Sequence, residues 1–189
     1  MYYQTTNDSY VVDLVYQGLL KYNKKGELVA DLAKSLPEIS EDGKTMTFKL
    51  KKGIHFSDGS KFTSKDVQTT FTIMADPSYT GRFSSNVDFL NGYSEYHDGD
   101  AKDVSGIETP DDYTVVFRMS KPKIDAESTL GTQKICSAKT LKYKKGKTSN
   151  VEKNNSNPIG TGPYKLKSFS KTEGACLLYT SDAADEGLG

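Results

Sequence analysis

Histidine and cysteine each occur only twice in this 189-residue chain, arginine only at Arg82 and Arg118, and no apolar run nears the length of a membrane span. With 35% hydrophobic residues and a mean hydropathy of -0.61, a transmembrane helix is excluded in the sequence as given. Net charge is missing too. The 25 basic and 25 acidic side chains cancel, so no global field draws the chain to nucleic acid or to an anionic membrane, and a neutral partner fits better. Scarce arginine argues against a fork-like clamp for carboxylate or phosphate. Cys136 and Cys176 are too few for a disulfide framework and are not spaced as a metal or redox motif. Neither His55 nor His97 stands beside a nucleophile in a recognisable arrangement. His55 alternates with Ile54 and Phe56 and reads as facing out of a strand, while Cys136, between Ile135 and small residues, reads as a buried inert thiol. No catalytic residue is assigned.

What is present is ordered grammar between Thr45 and Met74. Met46, Phe48 and Leu50 alternate with Thr47, Lys49 and Lys51, the period of a strand with one buried face. Ile54 and Phe56 resume the apolar side after Gly53, and Asp58-Gly59 supplies a tight turn. Thr63 opens a helix with Asp66 completing a capping-box pattern and Val67, Phe71 and Met74 at helical spacing. Asp76-Pro77 closes it, since the residue before proline avoids the helical region.

Upstream, Asn7, Asp8 or Ser9 caps a helix whose Val11, Leu14, Val15 and Leu19 form one stripe, with Gly18 near its end. Asn23 to Gly26 reads as a turn and Leu28 to Leu36 as a short segment packed on that helix; Pro37 to Ile39 pairs with Thr45 to Leu50 across Glu41-Asp42-Gly43. Downstream, Phe89 to Tyr96 reads as a short helix. Gly106 to Thr109 and Tyr113 to Met119 flank Pro110-Asp111-Asp112 as a second hairpin, and Lys139 to Asn155 reads as a solvated connection. Asp98-x-Asp100 begins like a calcium loop but has Asp103 where glycine is needed and Thr109 where a bidentate glutamate belongs. Gly160-Thr161-Gly162 begins like a dinucleotide loop, yet Pro163 and Lys165 break the pattern, leaving a backbone role: positive φ or close approach.

The strand carrying TFKL, then KGIHFSDG, then a Phe-Thr-x-x-Asp-Val helix, resembles the extracytoplasmic solute-binding proteins of ABC importers, family 5, the oligopeptide, dipeptide and nickel group. DDYTVVFRM at Asp111 to Met119 and NPIGTGPYKL at Asn157 to Leu166 resemble later stretches of the same family, in the same order. GYSEYHDGDAKDVSGIETPDDYTV looks most like oligopeptide binders of Gram-positive type. The resemblance implies a mixed α/β fold, class II periplasmic-binding-protein-like and partial. Residues 1–32 would be a large-lobe segment, 33–153 the small lobe and 154–174 the return into the large lobe.

The resemblance further implies non-catalytic capture of an oligopeptide by hinge closure outside the cytoplasmic membrane, as a monomer serving the permease subunits of an ABC importer. No nucleic acid and no cofactor is implied. Contact with the membrane would come only through a signal or lipid anchor ahead of Met1, which MYYQTTNDSY does not supply. Peptides offer a generic main chain and variable side chains, so an extended edge and aromatic-lined pockets suit them. The resemblance puts the edge at Gln4, Thr5 and Thr6 and an aromatic contact near Tyr79 and Phe83. Dipeptide, nickel or haem binding remains open within the family. Outside it stand an extracellular peptidase and a gene fragment without activity. ACLLYTSDAADEGLG, from Ala175 to Gly189, is similar to translated sequencing adaptor and is expected to be a non-native tail in place of the family's partner strand.

Overall fold

A computed structural model describes residues 6–154, 157–170 and 174–179. In chain order the elements are α1 (Thr6–Val15), β1 (Leu20–Tyr22), β2 (Leu28–Ala30), β3 (Glu38–Ile39), β4 (Thr45–Lys49), α2 (Ser64–Ala75), α3 (Tyr93–Asp98), β5 (Ile107–Asp111), β6 (Thr114–Arg118), α4 (Ala126–Gly131), α5 (Ala138–Leu141), α6 (Ser149–Asn154), β7 (Tyr164–Ser170) and β8 (Gly174–Tyr179). All pairings among the described strands are antiparallel: β1 with β2, a four-stranded sheet in the order β3-β4-β6-β5, and β7 with β8.

The four-stranded sheet follows the alternation of its residues. Met46 pairs with Phe117 and Phe48 with Val115, so the buried positions of β4 and β6 fall on one face. α2 covers that face. The Phe71 ring meets Phe117 edge to face at 4.9 Å, and Phe117 meets Phe48 at 6.0 Å, the offset geometry that aromatic quadrupoles favour. Pro110 can sit within β5 because that strand is the sheet's edge and its register shifts between Glu108 and Asp111, so no ladder donor is needed there.

Both ends of α2 are chemically marked. Thr63 donates its backbone N–H to Asp66 Oδ2 at 2.8 Å and its hydroxyl to the same oxygen at 3.2 Å, so the carboxylate carries this cap. Asp66 Oδ1 also accepts the Ala138 N–H at 2.8 Å, which fixes the start of α5 against the start of α2. At Asp76 the chain turns extended, as the following proline requires. The turn at Asp58-Gly59 is likewise as expected: Gly59 has φ +80° and Asp58 accepts from Ser60.

Several expectations are corrected. α1 begins at Thr6 and stops at Val15, so Leu19 lies beyond it and Leu14 is 38% exposed instead of joining a stripe. The cause is tertiary: Gly162 donates its N–H to the Val15 carbonyl at 2.8 Å, and the chain leaves the helix there. Leu28–Ala30 is not a segment packed on α1 but a strand returning on β1 across the Asn23 to Gly26 turn. The short helix expected at Phe89 begins only at Tyr93. Lys139 to Asn155 is no bare connection; it holds α5 and α6, with Leu141 and Val151 buried among the core side chains. The partner strand judged missing after Ala175 is present as β8, paired with β7 in the register Leu166 to Leu177. Residues 180–189 lie outside the described residues.

Candidate functional site

The stretch after α2 is held by one buried carboxylate. Asp76 Oδ1 accepts the Ser78 N–H at 2.8 Å and the Ser78 hydroxyl at 2.6 Å; Oδ2 accepts the Gly146 N–H at 2.8 Å and the Tyr143 hydroxyl. Burial pushes the Asp76 carboxyl up, but these donors outweigh it and hold it below the usual carboxylate range. Burial, and then the bond to Asp76, push Tyr143 far up, so its proton stays on and is given to Asp76. Tyr96, 2.5 Å from Tyr143, must therefore be the donor in that second pair. Lys145 completes the arrangement, its ammonium 4.1 Å from the centre of the Tyr96 ring and bonded to the Ala101 carbonyl at 2.7 Å. Thr148 donates to the Ser78 carbonyl at 3.1 Å, a second tie between the two stretches.

The two aromatic candidates of this stretch differ. Tyr79 is only 7% exposed and belongs to the core. Its ring lies over Gly81 so closely that a Cβ there would come within 2.2 Å of the phenol, which explains a glycine where φ does not demand one. Phe83 is half-buried and lines a cleft of about 140 Å³ with Asn86, Thr129, Thr132, Gln133 and Lys134. The Arg82 guanidinium stands 5.3 Å from the Phe83 ring.

The other candidates lie at the start of the chain. Gln4 and Thr5 lie outside the described residues, and Thr6 is described only as the first residue of α1. A link to the Phe83 cleft exists further along that helix, where Asp13 pairs with Lys134 at 2.9 Å. Ile135 also donates its N–H to the Gln17 carbonyl at 2.9 Å. Gln133 was missed in the sequence; a lone glutamine in a Thr-Gln-Lys run carries no signal of its burial.

The return segment explains its glycines by close approach. A Cβ on Gly160 would fall 1.9 Å from the Val15 carbonyl oxygen, and one on Gly162 2.5 Å from that of Leu14. Neither has positive φ. Ser57, in the turn after β4, donates its N–H to the Gly160 carbonyl at 2.9 Å, so the segment joins the end of α1 to that turn.

The two histidines and Cys136 differ in their surroundings. His97 Nδ1 is 3.0 Å from the Ala75 carbonyl and its ring stacks on Tyr93 at 5.4 Å; His55 is exposed. Cys136 is buried, and burial pushes its thiol up, away from a reactive thiolate. Among the described residues no cluster of histidine, cysteine and carboxylate side chains could hold a metal ion, and no helix is long and apolar enough to cross a membrane.

Residues 27–178 match the family described as bacterial extracellular solute-binding proteins, family 5 Middle. The chain is 32% identical over 165 residues to Protein XP55 of Streptomyces lividans, covering 84% of this chain and 26% of that protein. It is 32% identical over 136 residues to the oligopeptide-binding protein OppA of Lactococcus lactis subsp. lactis, covering 67% and 22%. The crystal structure of Haemophilus influenzae OppA in complex with RPPGFSPFR superposes with a TM-score of 0.75 at 26% identity, over 89% of this chain and 33% of that one. The fold is thus that of class II periplasmic binding proteins, in part. The chain spans about a quarter of the length of the curated relatives it matches. These matches agree with the ordered motifs of the sequence, and the chain belongs to the bacterial extracellular solute-binding proteins of family 5.

Proposed function

We propose that this chain is part of the substrate-binding component of an ABC peptide importer, capturing oligopeptides outside the cytoplasmic membrane without catalysis. The observation that carries this reading is the superposition on a peptide-bound OppA over 89% of the chain. Residues 1–32 and 154–174, the latter extended by β8, would belong to the large lobe, and Ala33 to Lys153 to the small lobe around the four-stranded sheet. The ligand would lie against the chain at Gln4 to Thr6 and against Phe83, with Tyr79 backing that surface from the core. Closure of the lobes would remove both faces of an extended peptide from water, the source of affinity in a hinged binder. A monomer delivering to permease subunits is the assembly this implies. Binding without catalysis follows the relatives, which are named as binding proteins.

The test is calorimetric titration of the protein, as encoded at its locus, with RPPGFSPFR, followed by mass spectrometry of the recovered peptide. Saturable binding and an intact peptide are expected. Cleavage products would replace this reading with a peptidase, and binding of nickel or haem with no affinity for peptide would replace it with another family activity.

A further inference from the structure

A second cleft, of about 440 Å³, opens at the end of β4 and β6, on the face of the four-stranded sheet turned away from α2. The backbone brings three lysines to it. Lys49 ends β4 opposite Thr114 and donates to its hydroxyl at 3.1 Å, while the Lys34 N–H is fixed to the Lys49 carbonyl at 2.8 Å. Lys52 follows Leu50, whose N–H bonds the Tyr113 carbonyl at 2.8 Å, and its ammonium lies 5.3 Å from the centre of the Tyr113 ring. Among the described residues none of these lysines forms an ion pair. Asp111 also lines the cleft but is spent on its own turn. Its Oδ1 accepts the Tyr113 N–H at 2.7 Å, and that bond, then the Thr114 hydroxyl, then Lys49 and Lys52 at longer range, hold the carboxyl below the usual range. Three like charges are thus gathered by the chain itself without a counter-charge in contact, an arrangement that repels until an anion arrives.

Neither Tyr79 nor Phe83 lines this cleft, so it is separate from the aromatic contact assigned to the peptide. An ammonium group is a point charge with three donors and no preferred plane. Three of them from different segments therefore suit the tetrahedral oxygens of a phosphate better than the flat edge of a carboxylate. The volume falls within the range of small-molecule clefts and exceeds what a bare phosphate needs, and the half-buried Tyr113 ring supplies a wall for an uncharged body. We propose that this cleft binds a phosphate monoester, its oxygens shared by the Lys34, Lys49 and Lys52 ammonium groups and its neutral carrier lying against Tyr113. Asp112, which lines the same cleft and forms no ion pair among the described residues, opposes the anion and limits its affinity. The inference does not depend on the peptide-binding reading.

The experiment is calorimetric titration of the protein, as encoded at its locus, with glycerol 3-phosphate and with inorganic phosphate, against chloride of matched ionic strength. Sedimentation with vesicles of phosphatidylcholine and phosphatidic acid accompanies it. Glycerol 3-phosphate should bind saturably and more tightly than inorganic phosphate, which has no carrier to set against Tyr113. Lys34→Gln and Lys52→Gln should each weaken binding about tenfold, and Asp112→Asn should tighten it about threefold. Lys61→Gln, at an exposed lysine outside the cleft, should change nothing. Urea midpoints of these surface variants should match the wild type, so that a lost affinity is not lost folding. Saturable binding of the soluble ester identifies a free ligand, and vesicle binding that Lys34→Gln and Lys52→Gln abolish identifies a lipid headgroup; both uphold the site. No binding beyond chloride in either arm, or affinities unchanged in Lys34→Gln and Lys52→Gln, overturns it. The affinity for RPPGFSPFR should be the same in all these variants, so the peptide reading stands or falls separately.

Discussion

The hydroxyl of Tyr143 donates to the carboxylate of Asp76, fastening the end of α2 to a turn far along the chain. Because that carboxylate also serves Ser78 and Gly146, Asp76→Asn should destabilise the protein by about 2 to 3 kcal/mol and Tyr143→Phe by about 1 to 2 kcal/mol. The acid limb gives the sign. Asp76 is held below the usual range in the folded state, so its contribution is present above about pH 4 and is lost as pH falls through the lowered folded-state value. Urea midpoints across the acid range should show the difference between wild type and Asp76→Asn shrinking on acidification.

Asp66 should behave in the opposite sense. Burial raises its carboxyl, and the bonds from Ala138 and Thr63 only partly offset that. A raised folded-state value means stability that is present below about pH 4 and declines as pH rises through the folded-state value. In the same experiment the difference between wild type and Asp66→Asn should therefore be largest at the acid end. Parallel slopes for the two variants would contradict the assignment.

Gly160 and Gly26 separate two reasons for glycine. Gly26 has φ +79° and open space around it, so Gly26→Ala strains only its own backbone and should lose about 1 kcal/mol. Gly160→Ala drives a methyl into the Val15 carbonyl, a backbone atom that cannot swing aside, and should lose about 3 kcal/mol or more. Chemical denaturation of both variants checks the ranking.

Phe83→Ala removes the apolar wall of the cleft while Tyr79 stays in the core. Affinity for RPPGFSPFR should fall about tenfold, measured by calorimetry. Circular dichroism of the variant should remain that of the wild type.

The legible part of this chain was where one buried face repeats locally. Met46, Phe48 and Leu50 declare β4, Thr63 with Asp66 and the Asp76-Pro77 pair declare α2, and both are found as read. What was illegible depends on partners distant in sequence. α1 ends where Gly162 takes a carbonyl, not where its own apolar spacing ends. The lysine-rich run after Lys139 looked solvated because its few apolar residues, Leu141, Tyr143 and Val151, carry the packing and its lysines face out. At the candidate site Phe83 was legible as an aromatic in a polar loop, but Tyr79 and Phe83 could not be told apart. Gln133 was invisible, since its burial beside Phe83 is set only by what surrounds it.

The hydrogen bond from Gly162 to Val15 ties a residue near the end of the chain to one near its beginning, and the Ser57 to Gly160 bond lies beside it. Mechanically this is a clasp closing one long loop, which carries the whole four-stranded sheet. The load path between α1 and β7 thus runs first through the glycines where the chain crosses itself, and the four-stranded sheet lies inside the loop that they close.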